Sequence, residues 1–278
     1  MSASTVVDSA DSLTAHVAEF IAAIRYDDIP SEAIGSAKKA MLDTIGVGLA
    51  GARAQGSGII RRYLEELNCG TGPATIFGTS LRVPPRFAAL ANGAAMHADD
   101  FDDTFHRSRV HSSAPVLAAV FADAERAGAS GRELLEAFSV GSEVTCKVSQ
   151  TIDAQHYQRG YHATSTCGVF GATAGLCSLR RFSPQATRMA LGIAGSEAAG
   201  LRENFGTMAK PMHAGRAAES AVVAASLIEL GFTAAPTILE GPRGFSRQTR
   251  RLPQLRFQLA ELRLVRGFRR TDRWVRRR

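Results

Sequence analysis

Apolar residues recur at helical spacing through most of this chain, in segments separated by short links rich in Gly, Pro and Asp. The first segment, 12–26, places Leu13, Val17 and Phe20 on one face of a helix. Similar segments fill most of the remaining chain, and strand-like residues occur only near 75–77. Because helices joined by short links bury their apolar faces against one another, the sequence predicts an all-α, multi-helix bundle.

Turn residues and caps predict where the other helices begin and end. Pro30 breaks the chain and Ser31 is the predicted N-cap of the second helix. A GxGxxG match at 46–51 lies inside that helix with no strand before it, which excludes a dinucleotide site there. The predicted helices are 31–52, 56–68, 85–96, 113–127, 132–152, 162–178, 184–198 and 214–230, with a polar loop over 153–161.

Composition and cysteine usage limit the class of protein. With 278 residues and 45% hydrophobic content, the chain is long enough for a substantial core. The N-terminus has no basic region followed by an apolar one, and no apolar run reaches membrane-spanning length. The four cysteines have no metal-binding spacing. We therefore expect reduced thiols in a cytoplasmic protein that does not bind membranes.

Positive charge is concentrated at one end of the chain. The segment 246–278 contains twelve arginines, no lysine and two acids. Because the whole chain carries +7 and this segment carries +10, the remaining residues carry −3. A nucleic-acid-binding domain spreads its basic residues over a folded face. We therefore expect no nucleic-acid binding by the body of the protein.

The fifteen residues of 97–111, HADDFDDTFHRSRVH, concentrate ionisable side chains between two Ala-rich segments. Acids and imidazoles at the junction of two buried helices are typical of an acid–base site. The alternative interpretation is an acidic loop whose aspartates cap the neighbouring helices. The acids are Asp99, Asp100, Asp102 and Asp103, and the imidazoles are His97, His106 and His111.

Later segments carry further chemical groups on backgrounds of small residues. In GYHATSTCG, His162 stands at a predicted helix start, where free N–H groups favour an anion. In GTMAKPMHAGRAAES, Lys210 leads into the helix predicted from about Ala214, and Arg243 follows in LEGPRGF. Singly, such a histidine is more often a satisfied core residue and such a lysine an exposed one. Together with 97–111, they are the groups that hold a polycarboxylate and move a proton.

These motifs, in this order, resemble the MmgE/PrpD family. The likeness covers residues 12–245 and includes HADDFDDT, HSSAPVL, GYHATSTCGVFGA, GTMAKPMHAGRAAE and LEGPRGF. The family includes 2-methylcitrate dehydratases, cis-aconitate decarboxylases and iminodisuccinate epimerases. Its shared chemistry changes a C–H, C–O or C–C bond beside a carboxylate without metal or cofactor. The resemblance thus implies a helical domain, a small di- or tricarboxylate substrate, no cofactor and a homodimer.

The resemblance also implies roles for individual residues. Asp100 and Thr104 match the DFDDT motif, His111 the histidine before an apolar helix, His162 the GYH motif and Lys210 the KP motif. It implies that Asp100, His111, His162 and Lys210 are catalytic and that Thr104, His162 and Lys210 bind substrate. The spacing from Thr104 to His111 is one residue longer than in the decarboxylase-type pattern. We expect the remaining histidines of these motifs to be supporting or structural: His97, His106 and His213.

The chain departs from the family after LEGPRGF. Family members continue into a smaller α+β domain, which we expect to be missing here. We expect residues 1–245 to form the helical domain and 246–278 an Arg-rich, non-homologous and poorly ordered tail. Our hypothesis is that a reading-frame shift in a GC-rich gene produced this tail; the alternative is a genuine basic appendage. Loss of one wall of the pocket predicts weak or no turnover.

The sequence therefore predicts a cofactor-independent lyase on a small di- or tricarboxylate, similar to 2-methylcitrate dehydratase and impaired by truncation. A cis-aconitate decarboxylase or an iminodisuccinate epimerase-like isomerase is the alternative within the family. A second alternative is an inactive fragment, or a helical binding protein whose basic tail binds nucleic acid or membrane. A metal hydrolase built on the Asp/His cluster is less well supported, because no HExxH or comparable ligand pair occurs.

Overall fold

A computed structural model describes residues 12–152 and 154–246, and these ranges form a helical body with one small hairpin. This confirms the all-α prediction. The predicted tail lies outside the described residues except for Ser246. The helices are α1 Leu13–Ala23, α2 Ser31–Gly51, α3 Gln55–Glu66, α4 Pro85–Met96, α5 Ser113–Ala127, α6 Gly131–Thr151, α7 Ala154–Gln158, α8 Ala163–Thr166, α9 Gly168–Leu179, α10 Pro184–Ser196 and α11 Ala209–Glu229; the strands are β1 Ala74–Thr75 and β2 Arg82–Val83.

Local chemistry explains many of the helix ends. The Ser12 hydroxyl accepts a hydrogen bond from the backbone N–H of Ala15 and caps α1. Ser130 and Glu133 form a capping box at the start of α6. Gly128 ends α5 in the left-handed conformation that glycine adopts without strain. At α2 the predicted cap is displaced by one residue, because Pro30 is the N-cap and Ser31 is already helical.

Three sequence predictions were wrong in detail. The predicted polar loop over 153–161 contains the short helix α7. The helix predicted over 162–178 is divided at Cys167 into α8 and α9. Helix α11 begins at Ala209, five residues before its predicted start, so Lys210 lies in its first turn. Pro211 is compatible with a first turn because the N–H groups there have no partner within the helix.

Close contact between α4 and α11 fixes the geometry of the centre. A Cβ added at Gly93 would lie 2.7 Å from the Cα of Gly215, and one added at Gly215 would lie 2.2 Å from the carbonyl oxygen of Leu90. Only glycine permits this separation. The contact brings the C-terminal end of α4 and the N-terminal end of α11 to the same side of the body, where His97 and Lys210 lie.

The glycines of the rejected GxGxxG match have a packing role. A Cβ added at Gly48 would lie 2.9 Å from the Cγ of Met96, and one added at Gly51 would lie 2.0 Å from the carbonyl oxygen of Ala95. The match lies within α2, as predicted, and packs this helix against the end of α4. Among the helices described, none is both long and apolar enough to cross a membrane.

Candidate active site

A cleft of about 420 Å³ opens between the start of α3, the end of α4 and the start of α11. The loop after α4 forms its charged wall. The lining residues that carry ionisable groups are His97, Asp99, Asp100 and Lys210. Apolar and small residues of α3 and α11 complete the wall, so the charged groups act in a partly enclosed space in which charge interactions are stronger than in water.

Asp100 links the loop to α11 and to His111. Its Oδ1 lies 2.6 Å from the Nζ of Lys210 and 3.8 Å from the Nε2 of His111. The Asp100 side chain is 55% exposed, whereas those of Lys210 and His111 are each 16% exposed. Asp100 has a positive φ of 58°, a left-handed conformation that aspartate adopts more readily than most residues with a side chain. The Lys210 ammonium and the His111 imidazole thus both lie close to this carboxylate of the cleft wall.

Asp102 is the buried centre of the loop. Its carboxylate accepts a hydrogen bond from the Nδ1 of His97 at 2.9 Å, and its Oδ1 lies 3.3 Å from the Nδ1 of His111. The side chains of Asp102 and His97 have no exposed area. One carboxylate therefore orients two imidazoles, with both Nδ1 atoms directed at Asp102.

Charge on Asp102 changes the acidity of its neighbours. Burial alone would raise the pKa of Asp102, but the charge of His97 and hydrogen bonds from His111 and His97 hold that pKa well below its usual range. Burial alone would lower the pKa of His111, but the hydrogen bond and charge of Asp102, with Asp100 and Asp103, raise it. His111 therefore tends to keep its proton, which makes it a cation or a general acid.

A second pair of imidazoles lies beside the first. The Nδ1 atoms of His162 and His213 are 3.1 Å apart, so one donates and the other accepts. The ring of His162 stacks on that of His97, with centroids 5.6 Å apart, and meets Phe205 edge-on. The pKa of His162 is lowered to about 2, chiefly by burial and further by the neighbouring imidazoles and Lys210. His162 is therefore neutral and can accept a proton or a hydrogen bond.

The structure distinguishes the other residues of the loop. Asp103 accepts a hydrogen bond from the backbone N–H of Ser113, the first residue of α5, so the capping interpretation applies to this aspartate. Burial raises the pKa of Asp103. The Thr104 hydroxyl lies 3.4 Å from the Nδ1 of His111. His106 is exposed.

The structure places the four predicted catalytic residues in one cluster. Asp100 contacts Lys210 and His111 directly, and His162 joins them through the ring of His97. His162 is the N-cap of α8, as predicted for a helix start, but α8 has only four residues and the N–H of His162 donates to the carbonyl oxygen of Gly200, so anion binding at this helix start stays a prediction. Asp102 was not predicted from the sequence to contact both His97 and His111. The only available signal was its position in DFDDT, five residues after His97.

Four side chains of this cluster could also ligate a metal ion. His97, Asp100, Asp102 and His111 each offer one atom, and these atoms lie within 4.8 Å of one another. The carboxylate oxygens are already in use, however, because Lys210 pairs with Asp100 and two imidazoles bond to Asp102. The donor set suits a divalent cation only if these interactions are broken.

Several known proteins are similar in sequence to this chain over most of its length. Cis-aconitate decarboxylase of Homo sapiens is 32% identical over 240 residues, covering 84% of this chain and 50% of that protein. Cis-aconitate decarboxylase of Aspergillus terreus is 30% identical over 245 residues. The cis-aconitate decarboxylase-like protein oryM of Aspergillus oryzae is 28% identical over 266 residues. The chain spans about half the length of these relatives.

The family comparison extends over almost all of the described body. The MmgE/PrpD N-terminal domain matches residues 15–258, which include the loop 97–111, His162 and Lys210. The match, the helical fold and the clustered motif residues agree with one another. The chain belongs to the MmgE/PrpD family.

Proposed function

We propose that this chain carries the carboxylate-binding part of an MmgE/PrpD-type lyase that acts on a small di- or tricarboxylate. The observation that carries the proposal is the contact of Asp100 with Lys210 and His111 at the cleft. An ammonium and an imidazole with a raised pKa already hold one carboxylate there. A substrate carboxylate meets the same two groups, through charge-assisted hydrogen bonds.

His111 and His162, whose pKa values are shifted in opposite directions, supply the acid and the base. His111 retains a proton because Asp102 raises its pKa, whereas His162 is neutral. Groups whose pKa values are driven apart by their surroundings are suited to these two roles. In a decarboxylation, the C–C bond to the leaving carboxylate breaks, its electron pair remains on the substrate carbon, and His111 delivers a proton as CO₂ leaves. In a dehydration, His162 takes the C–H proton and His111 protonates the departing hydroxyl group.

Cis-aconitate is the first substrate to test, because similar proteins carry the name cis-aconitate decarboxylase. The family resemblance makes 2-methylcitrate dehydration the alternative. The two reactions give different products, since decarboxylation releases CO₂ and removes a carboxylate, whereas dehydration retains every carboxylate and creates a double bond. Product analysis by mass spectrometry therefore distinguishes them.

The experiment measures ligand stabilisation and product formation with the 278-residue chain. Cis-aconitate, 2-methylcitrate and iminodisuccinate are each added in a thermal unfolding series, with a monocarboxylate such as acetate as the control. A ligand at about 100 times its Kd stabilises a protein by about 2.7 kcal/mol, which raises Tm measurably. Stabilisation by a di- or tricarboxylate but not by acetate is the expected result. No stabilisation by any of them would contradict the proposal.

The Arg-rich segment favours a second, separate binding activity. Its charge of +10 fits an acidic partner such as nucleic acid. We propose to compare DNA retention by the full chain and by a chain ending at residue 245, at low and moderate salt. Retention that weakens steeply with salt and is lost with the segment supports this activity. Equal retention by both chains excludes it.

A further inference from the structure

His97 has one ring nitrogen without a described partner. Its side chain is fully buried, and its Nδ1 bonds to Asp102. Its Nε2 has no hydrogen-bond partner among the residues that the structure describes. A buried polar atom left in this state is unfavourable and calls for an explanation, because most buried polar groups in proteins are paired.

The position of His97 indicates what the missing partner is. His97 lines the same cleft as Asp100 and Lys210. Its ring stacks on His162 and meets His111 edge-on, with centroids 5.6 Å and 4.8 Å apart. It is therefore in contact with both imidazoles to which acid and base roles are assigned above, and it lies at the wall that a ligand would occupy.

Asp102 determines which nitrogen of His97 is available. An ionised carboxylate accepts but does not donate, so the Nδ1 of His97 must carry the proton of their hydrogen bond. The remaining nitrogen, Nε2, is then the one free to meet another molecule. In this arrangement a buried carboxylate fixes the tautomer and orientation of an imidazole, and the other ring nitrogen is left to contact a ligand.

We propose that His97 is a ligand-contacting residue of the carboxylate site, with Nε2 as its contact atom and Asp102 as its positioning residue. The inference rests on the proposed function, since it takes the ligand to be a small di- or tricarboxylate. The Nε2 of His97 then adds a third contact with the ligand to those of Lys210 and His111.

Two substitutions separate this role from a purely structural one. In His97→Asn, the amide occupies the place of Nδ1, keeps the bond to Asp102 and removes the Nε2 contact. In His97→Gln, the amide reaches the place of Nε2 and gives up the bond to Asp102. The exposed His106 in the same loop supplies the control, His106→Gln.

The experiment is calorimetric titration of the full chain with cis-aconitate and with 2-methylcitrate, with thermal melts to verify folding. We expect His97→Asn to lower the affinity for the ligand at least tenfold. The affinity of His97→Gln should stay within about threefold of that of the unsubstituted chain, and the affinity of His106→Gln should equal it. The reverse order, with His97→Asn unaffected and His97→Gln weak, overturns the inference. If both variants are weak, ¹⁵N-histidine spectra of the unsubstituted chain decide: a ligand-induced shift at the His97 Nε2 supports the contact, and no shift overturns it.

Failure of the proposed function gives a different result. If the unsubstituted chain binds neither probe, the carboxylate site and the role of His97 are both overturned. If it binds a probe and His97→Asn binds equally well, only the role of His97 is overturned.

Discussion

The Nζ of Lys210 lies 2.6 Å from the Oδ1 of Asp100, joining the first turn of α11 to the loop that follows α4. Asp100 reaches this position with a positive φ, in the left-handed conformation that aspartate tolerates. Under the proposed function, a ligand carboxylate and Asp100 compete for this one ammonium.

Lys210→Ala tests whether this ammonium binds the ligand. We expect affinity for cis-aconitate or 2-methylcitrate to fall by about tenfold to a hundredfold, because one charge-assisted hydrogen bond contributes about 1.5–3 kcal/mol. Calorimetric titration measures the change. Lys39→Ala is the matched control, since Lys39 is exposed on α2, away from the cleft. Equal affinity in the two variants would remove Lys210 from the site.

Asp102→Asn tests the buried centre of the loop. The substitution keeps the size of the side chain and removes the charge that His97 and His111 share. Breaking a buried ionic contact typically costs about 3–5 kcal/mol, so we expect a loss in the free energy of unfolding of this order. We also expect the pKa of His111 to fall, because Asp102 is the largest of the interactions that raise it.

Urea unfolding measures the first effect and NMR titration of the histidine rings the second. Asp99→Asn is the control, because Asp99 is an exposed aspartate of the same loop. A stability loss as small as that of Asp99→Asn, with an unchanged His111 pKa, would show that Asp102 does not organise the loop.

The lowered pKa of His162 predicts how the free energy of unfolding depends on pH. Its pKa is lowered to about 2 in the folded chain, mainly by burial, while in the unfolded chain it returns towards 6.5. Between these values the unfolded state binds more protons, so stability rises with pH and is lost as pH falls below about 6.5. One such group contributes a slope of at most about 1.4 kcal/mol per pH unit.

Urea unfolding at several pH values between 5 and 6.5 measures this slope. We expect His162→Gln to flatten it and His106→Gln to leave it unchanged, because His106 is exposed. An unaltered slope in His162→Gln would mean that the ring does not lose its charge on folding.

Gly215→Ala tests the crossing that positions the site. A Cβ there would lie 2.2 Å from the carbonyl oxygen of Leu90, so α4 and α11 must separate. Overpacking of this kind costs about 1–3 kcal/mol, and it also moves His97 away from Lys210. We expect lower stability and weaker carboxylate binding, measured by urea unfolding and calorimetry.

Gly46→Ala is the matched control in α2. A Cβ at Gly46 meets nothing within 4 Å, so alanine there should stabilise the helix by about 0.5–1 kcal/mol. If both substitutions change the free energy of unfolding in the same direction, the crossing of α4 and α11 is looser than the glycine contacts indicate.

Metal analysis tests the alternative use of the Asp/His cluster. Because Lys210 and two imidazoles occupy the carboxylates of Asp100 and Asp102, we expect purified protein to contain much less than one equivalent of any divalent metal. Chelator treatment should then leave carboxylate binding unchanged. Stoichiometric zinc or manganese, with binding lost on chelation, would favour the metal site.

Local rules accounted for most of the fold. The bounds of α4 and α5 were predicted to the residue, with Pro85 at the start of α4 and Gly128 ending α5 in the left-handed conformation. The same rules failed at the start of α11, since a small-residue segment such as GTMAKPM contains no cap whose signal outweighs its neighbours. Motif resemblance predicted that Asp100, His111, His162 and Lys210 belong to one site, and the fold places them close together.

The choice among the aspartates of the loop required the tertiary structure. Asp99, Asp100, Asp102 and Asp103 are chemically alike along the chain, and their surroundings alone make two of them cleft residues, one the buried partner of two imidazoles and one a cap. Burial and neighbouring charge set these differences: Lys210, distant in sequence, contacts Asp100, whereas His97 and His111 of the same loop surround Asp102. The sequence thus supplied the chemical groups, whereas the tertiary structure buried Asp102 with its two imidazoles and brought Lys210 of α11 to Asp100, because burial and long-range contacts follow from packing.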